Sequence, residues 1–278
     1  MSGRMGGEQR EHDSRLADVW TQLQKVTDPE LDESLTELGF IEDVEIEGDG
    51  SVDVKFRLPT YWCSPNFAFL MADDIRRFVS DLDWVREVRP AVQDHMFGDE
   101  VNRGVRLGLS FGEVFSQFGA QGTLEELREK FQHKAFERRQ EAVIAILRKG
   151  GYVDATIAAM DLATLDALDH AALGGAVEIA RYREILLQRG LARQPDDPAF
   201  VTLEGSAVDP AEFAAYMQRL RGVRINMEFN SALCRGLRES RYKGVGDRPR
   251  SSVTETQACG EGCGSSCASK TELVAPLA

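Results

Sequence analysis

The stretch from Phe40 to Val92 constrains the fold most, because its apolar period changes twice along the way. Phe40 to Glu47 and Val52 to Leu58 alternate apolar with polar residues around Gly48-Asp49-Gly50, the pattern of a β-hairpin closed by a glycine turn. Residues 66–80 switch to helical spacing, with Phe67, Leu70, Met71, Ile75, Phe78 and Val79 on one face. Trp84 to Val92 returns to a strand pattern. Upstream, residues 14–26 place Leu16, Val19, Trp20, Leu23 and Val26 on one helical face. Asp28-Pro29-Glu30 ends that helix, since proline disfavours helical backbone at the residue before it. The expectation is an α-β-β-α-β unit, a small sheet covered on one face by helices, in a chain of α+β class.

Beyond Asn102 the chain changes character. A Gly- and Phe-rich connector is expected to pack back on the first unit. Thr123-Leu124-Glu125-Glu126 then fits a capping box and opens a helix that Gly150-Gly151 closes. Further helices are expected near 154–160, 162–171 and 175–189, with Gly190 as a stop. Asp209-Pro210-Ala211-Glu212 starts another to about Leu220, and a last helix spans about 225–240. The organisation expected is a flexible N-terminus at 1–13, an α/β domain at 14–105, a helical adaptor region at 106–245, and a flexible tail at 246–278.

Charge and composition exclude several classes. The chain carries 46 acidic against 33 basic residues, a net charge of −13, which argues against the nonspecific nucleic-acid affinity of a basic protein. No apolar run approaches the ~20 residues a membrane helix needs. The N-terminal segment lacks an apolar signal core, so the expectation is a cytoplasmic protein with free thiols. P-loop, dinucleotide fingerprint and GxSxG elbow are absent, and no enzyme activity is expected.

The cysteines carry the chemical signal. Cys63 and Cys234 stand alone, while Cys259, Cys263 and Cys267 form a C-x3-C-x3-C run on Gly/Ser-rich chain. Thiolates so spaced can wrap a soft metal or an iron–sulfur cluster; incidental or redox-sensitive thiols are the bland alternative. Cys63 precedes Ser64, a good N-cap, and Pro65, a favoured first helical residue. Its sulfur is therefore expected at a helix N-terminus, where free N–H groups and the dipole favour a thiolate. From Asp28 to Asp53 there are eleven acids and no Lys or Arg, expected mainly as a solvated face. Asp94, His95, Asp99 and Glu100 could ligate a metal, but are expected first as a polar surface loop. The basic run Arg235 to Arg250 is expected as a solvated helix end, with docking on the acidic hairpin second.

The order helix, Asp28-Pro29-Glu30, Leu38-Gly39, hairpin, Thr60, Cys63, helix resembles the PaaD and SufT type of iron–sulfur cluster assembly domain, over roughly residues 14–95. Many relatives have Cys-Pro where this chain has Cys63-Ser64-Pro65. The resemblance implies cluster or metal handling by Cys63, with Asp28, Glu30 and Thr60 in support.

The leading reading is a maturation factor that transiently holds an iron–sulfur cluster or iron and passes it to a client metalloprotein. Its metal ligands would be Cys63, Cys259, Cys263 and Cys267, four thiolates being the usual number for a cluster. Donor or scaffold proteins and the client are the expected partners, and the thiol count also allows a site shared between two chains. The alternative is a non-metal adaptor or chaperone for a multi-subunit oxygenase. A thiol enzyme with Cys63 as nucleophile is the remaining class, and no base lies near it in sequence.

Overall fold

The computed structural model describes residues 2–118 and 123–242, with side chains from residue 9 onward. The expected tail at 246–278, including Cys259, Cys263 and Cys267, lies outside the described residues. The chain is α+β: an N-terminal α/β region followed by a mostly helical one.

Helix α1 (Ser2–Leu23) begins well ahead of the start expected at residue 14. Its apolar stripe does begin at Leu16, but the polar turns before it hold helix through pairs such as Arg15–Glu11 at 2.6 Å and Gln9–Asp13 at 3.0 Å. A two-residue pair, β1 (Thr27–Asp28) with β2 (Glu33–Ser34), frames the turn that follows. The expected hairpin is β3 (Ile41–Ile46) with β4 (Ser51–Arg57), antiparallel, with an irregularity in register between Ile41 and Asp43. Helix α2 (Pro65–Ser80) crosses to β5 (Glu87–Gln93), which lies parallel to β4 with Pro90 opposite Val54. Val52, Val54 and Phe56 point into the core with Phe69, Met71, Ile75 and Val79 of α2.

The acids of the hairpin expected as a solvated face are largely exposed on the outer face of this sheet, and bases pair with them there. Arg57 meets Glu42 at 2.7 Å, Lys55 meets Asp43 and Glu45 at 3.0 Å each, and Arg89 binds Asp53 and Glu47. The run lacks its own bases, and neighbouring strands supply them.

Of the residues expected in a polar loop, Asp94 and His95 do lie in the loop after β5 while Asp99 and Glu100 are helical; the connector packs back on the first core as expected, partly as helix. Asp99 and Glu100 occupy the first turn of α3 (Gly98–Arg106), where acids suit the helix dipole. Helix α4 (Phe111–Phe115), capped by Ser110 and Glu113, sends Phe111 and Phe115 into the first core. Helix α5 (Leu124–Lys149) starts at the expected Thr123–Glu126 capping box. The short helices α6 (Asp154–Ala158) and α7 (Leu162–Asp166) and the longer α8 (Ala176–Gln188) follow. The helices expected at 209–220 and 225–240 are one continuous helix, α9 (Phe213–Arg241). Gly222 does not break it, because Leu220 and Met227 on either side stay buried on one face.

A second core gathers Phe136, Ile144, Leu147, Tyr182, Leu186, Phe200, Phe213 and Leu220. The irregular segment between α8 and α9 is held through polar groups inside it. Tyr182 donates to the Ala199 carbonyl at 2.7 Å, and Tyr216 and Gln140 both donate to the Val201 carbonyl at 2.9 Å.

The two cores are joined at Asp32, which is 3% exposed and has a left-handed backbone, φ 52°. Arg139 grips its carboxylate twice, at 2.6 and 2.9 Å, Arg138 reaches it at 3.4 Å, and Arg181 binds its carbonyl at 2.6 Å. Removing the carboxylate strands guanidinium groups that are themselves mostly covered. Asp32→Ala is expected to lower stability by about 3–5 kcal/mol, read by urea unfolding, and Asp32→Asn by less. A loss under ~1 kcal/mol would remove this clamp from the account.

Candidate functional site

Cys63 sits in the turn between β4 and α2. Its amide donates to the Thr60 carbonyl at 3.3 Å, and its sulfur is 3.2 Å from the Thr60 hydroxyl oxygen. The next residue, Ser64, is the N-cap of α2; its carbonyl accepts from Phe67 and Ala68, and Pro65 fills the first turn. The sulfur is half-buried against the first core, so it stands at the head of the helix and is not sealed away. Trp62 beside it is 70% exposed, and its ring meets Tyr61 edge-on at 4.9 Å.

His95, expected on a polar surface, is 7% exposed and braces the cysteine. Its Nε2 lies 2.9 Å from the Cys63 carbonyl oxygen, while Nδ1 accepts from the Phe97 amide at 3.2 Å. That assigns the neutral Nε2–H tautomer, and burial lowers the His95 pKa in agreement. The Met96 amide bonds the Tyr61 carbonyl at 3.0 Å, tying the two loops together.

Asp28 and Glu30 lie on the turn framed by β1 and β2. Asp28 Oδ1 accepts from the amides of Glu30 and Leu31 at 2.9 and 3.0 Å. Burial pushes the Asp28 pKa up to about 6 against the pull of those two bonds. Glu30 accepts from Asn230 at 3.2 Å, and Glu33 binds Ser231 at 2.8 Å and Arg235. The last turns of α9 therefore lie on the acidic turn. Arg238 reaches the Gly39 carbonyl and Tyr242 donates to Asp94 at 2.7 Å. The basic run through Arg241 is thus a docked surface, and the solvated reading of it is corrected.

This docking delivers a thiol that sequence reasoning left aside. Cys234, half-buried on α9, packs on the same core as Cys63 and feels the charges of Asp28 and Glu30. Burial first, then Asp28, pushes its pKa up to about 11. The four-residue spacing of Asn230, Cys234 and Arg238 could have placed it on the docked face, had that face been known. The structure thus brings Cys63, Thr60, Asp28 and Glu30 to one region and adds Cys234 and His95. The other expected ligands, Cys259, Cys263 and Cys267, are not among the described residues. Among the described residues no group of three or more His, Cys, Asp or Glu side chains is arranged to hold a metal ion. His133 and His170 are remote from the site, pairing with Glu129 and the Leu165 carbonyl.

Comparison with known proteins bears on the same residues. The family of iron–sulfur cluster assembly proteins matches residues 16–89. An uncharacterized protein of Methanocaldococcus jannaschii is 31% identical over 85 residues, 31% of this chain and 87% of that relative. The chain belongs to the iron–sulfur cluster assembly family. No solved structure matches it. The family segment runs from α1 into β5 and so includes Asp28, Glu30, Thr60 and Cys63, whereas Cys234 and all of α9 lie outside it. No described helix is long and apolar enough to cross a membrane.

Two outcomes check this electrostatic picture. Asp28→Asn removes a carboxylate whose ionisation costs stability above pH 6. With the folded pKa raised above the unfolded one, the parent recovers that stability as pH falls from about 6 towards 3.8. The advantage of Asp28→Asn over the parent, read by urea unfolding, should therefore be larger at pH 8 than at pH 4.5 by roughly 1–3 kcal/mol; no difference would refute the buried charge. Peptide mapping after iodoacetamide treatment should find Cys234 alkylated far more slowly at pH 7 than a free thiol, with a rate that keeps rising as pH approaches 11.

Proposed function

We propose that this chain is a maturation factor that takes up an iron–sulfur cluster, or iron, through Cys63 and passes it to a client metalloenzyme. The observation that supports this best is the coincidence of the family segment with the surface that carries Cys63, Thr60, Asp28 and Glu30. The cluster is cargo in this reading. A half-exposed sulfur at a helix head can bind a metal and release it, which a resident cofactor site would resist.

The donors suit such cargo. Cys63 is the entry ligand, with Thr60 bonded to its sulfur and His95 fixing its carbonyl. Asp28 and Glu30 set a negative field that attracts cations. Cys234 is protonated until a metal displaces its proton, as thiol ligands require. A four-thiolate cluster needs more sulfur, and Cys259, Cys263 and Cys267 follow on the chain beyond Tyr242, itself bonded to Asp94 beside His95.

The second reading, an adaptor for a multi-subunit oxygenase, draws on Trp62 and Met96, large apolar side chains left 70% and 41% exposed on the loops around Cys63. They form a contact surface that would work without metal.

Anaerobic reconstitution with iron and sulfide separates the two. The full-length protein should acquire charge-transfer absorption and bound iron, and Cys63→Ser should lose most of both. Replacing Cys259, Cys263 and Cys267 together by Ser should lower the cluster content. A parent chain that binds no iron, or client activation that survives all the Cys→Ser changes, would overturn the cargo reading and leave the adaptor.

A further inference from the structure

Helix α9 has two faces with opposite fates. Leu220, Met227 and Ser231 are buried, and Arg238 on the same face binds Gly39. The other face leaves Ile225, Phe229 and Leu233 exposed at 54%, 67% and 51%. Their spacing of four residues makes one continuous ridge along the helix. No described side chain covers it.

The ridge reads the same in both directions. Counted outward from Phe229, Ile225 and Leu233 stand four residues away on either side, and Gly222 and Gly236 stand seven away. A branched aliphatic thus answers a branched aliphatic, and a glycine answers a glycine. Such a patch can complement itself across a two-fold axis, as an interface between identical copies must. Antiparallel pairing of two α9 helices about Phe229 sets Ile225 against Leu233 and Gly222 against Gly236.

Packing among the described residues requires neither glycine. A Cβ at Gly222 or Gly236 would meet nothing within 4 Å. Each costs a helix interior about 1 kcal/mol relative to alanine. At the two ends of a self-paired ridge they let the helix backbones approach closely.

Charge follows the same symmetry. At 100° per residue, Arg221 and Glu239 both project about 80° from Phe229 on the same flank. The two-fold operation keeps that flank in register, so Arg221 of one chain lies ~3 Å along the axis from Glu239 of the other. Neither forms an ion pair among the described residues, and both are exposed. Pairing creates two such salt bridges. Glu228, nearest the axis, is already neutralised by Arg224 at 2.8 Å, so the two copies of Glu228 do not oppose each other strongly.

We infer that the exposed ridge of α9 is a homodimer interface in which two copies of this chain pair antiparallel about Phe229. The dimer carries two Cys63 sites, and the association does not depend on metal.

Sedimentation velocity of the full-length protein, under reductant and chelator, tests this. The parent should show a concentration-dependent monomer–dimer equilibrium. Phe229→Glu, with its circular dichroism and unfolding curve unchanged, should weaken association roughly tenfold or more, as loss of a central aromatic anchor does. Arg221→Glu and Glu239→Arg should each weaken it severalfold, because both bridges become repulsive. Mixing those two variants should restore dimers, since each bridge then joins opposite charges. A parent that stays monomeric at every concentration assigns the ridge to a different protein and overturns the inference. So does a dimer indifferent to Phe229→Glu, or a mixture that associates no better than either variant alone.

Discussion

One carboxylate holds the architecture together. Asp32 occupies a left-handed backbone position at the tip of the turn that also carries Asp28 and Glu30, and arginines from α5 and α8 converge on it. An exposed acid here would contribute little, since surface ion pairs are screened. Buried and gripped from several sides, it makes the acidic turn a shared part of both cores. The turn that carries Asp28 and Glu30 therefore cannot shift without disturbing α5 and α8, and the helical half supports that turn as well as extending the chain.

The local charge balance gives the site its chemical bias. Asp28 is buried yet receives only amide hydrogen bonds, Glu30 accepts from a neutral amide, and Cys234 sits in the field of both. A negative, partly desolvated environment suppresses a further anion, which keeps Cys234 as a thiol. The same field would favour a cation, and a metal held there would reverse the local preference and draw out the proton. His95 adds no charge, because it is buried in its neutral form and spends both ring nitrogens on backbone.

The sequence disclosed what was encoded locally. The β3–β4 hairpin followed from period-two alternation around Gly48 and Gly50, and α2 from its apolar face behind Ser64-Pro65. The capping box at Thr123 likewise marked the start of α5. Resemblance to the assembly family singled out Cys63, Thr60, Asp28 and Glu30 as candidates, and all four fall inside the family segment. Features that depend on distant partners stayed hidden. The ion pairs made by the acids between Asp28 and Asp53 stayed hidden because Arg86, Arg89, Arg139 and Arg235 are remote in the chain and adjacent only in space. Cys234 carried no local motif, and its relation to Cys63 exists only once α9 is docked. His95 looked like part of a polar loop, since nothing in Asp94-His95-Met96 signals that its ring will be enclosed.

The register of the small sheet has a consequence for recognition. Pro90 deprives the middle of β5 of a backbone donor, and β3 is irregular at Glu42 and lined by Glu42, Asp43 and Glu45. Charged, uneven borders of this kind deter a foreign strand from extending a sheet. Side chains and loops such as the exposed indole of Trp62 then present the surface that the sheet edges withhold.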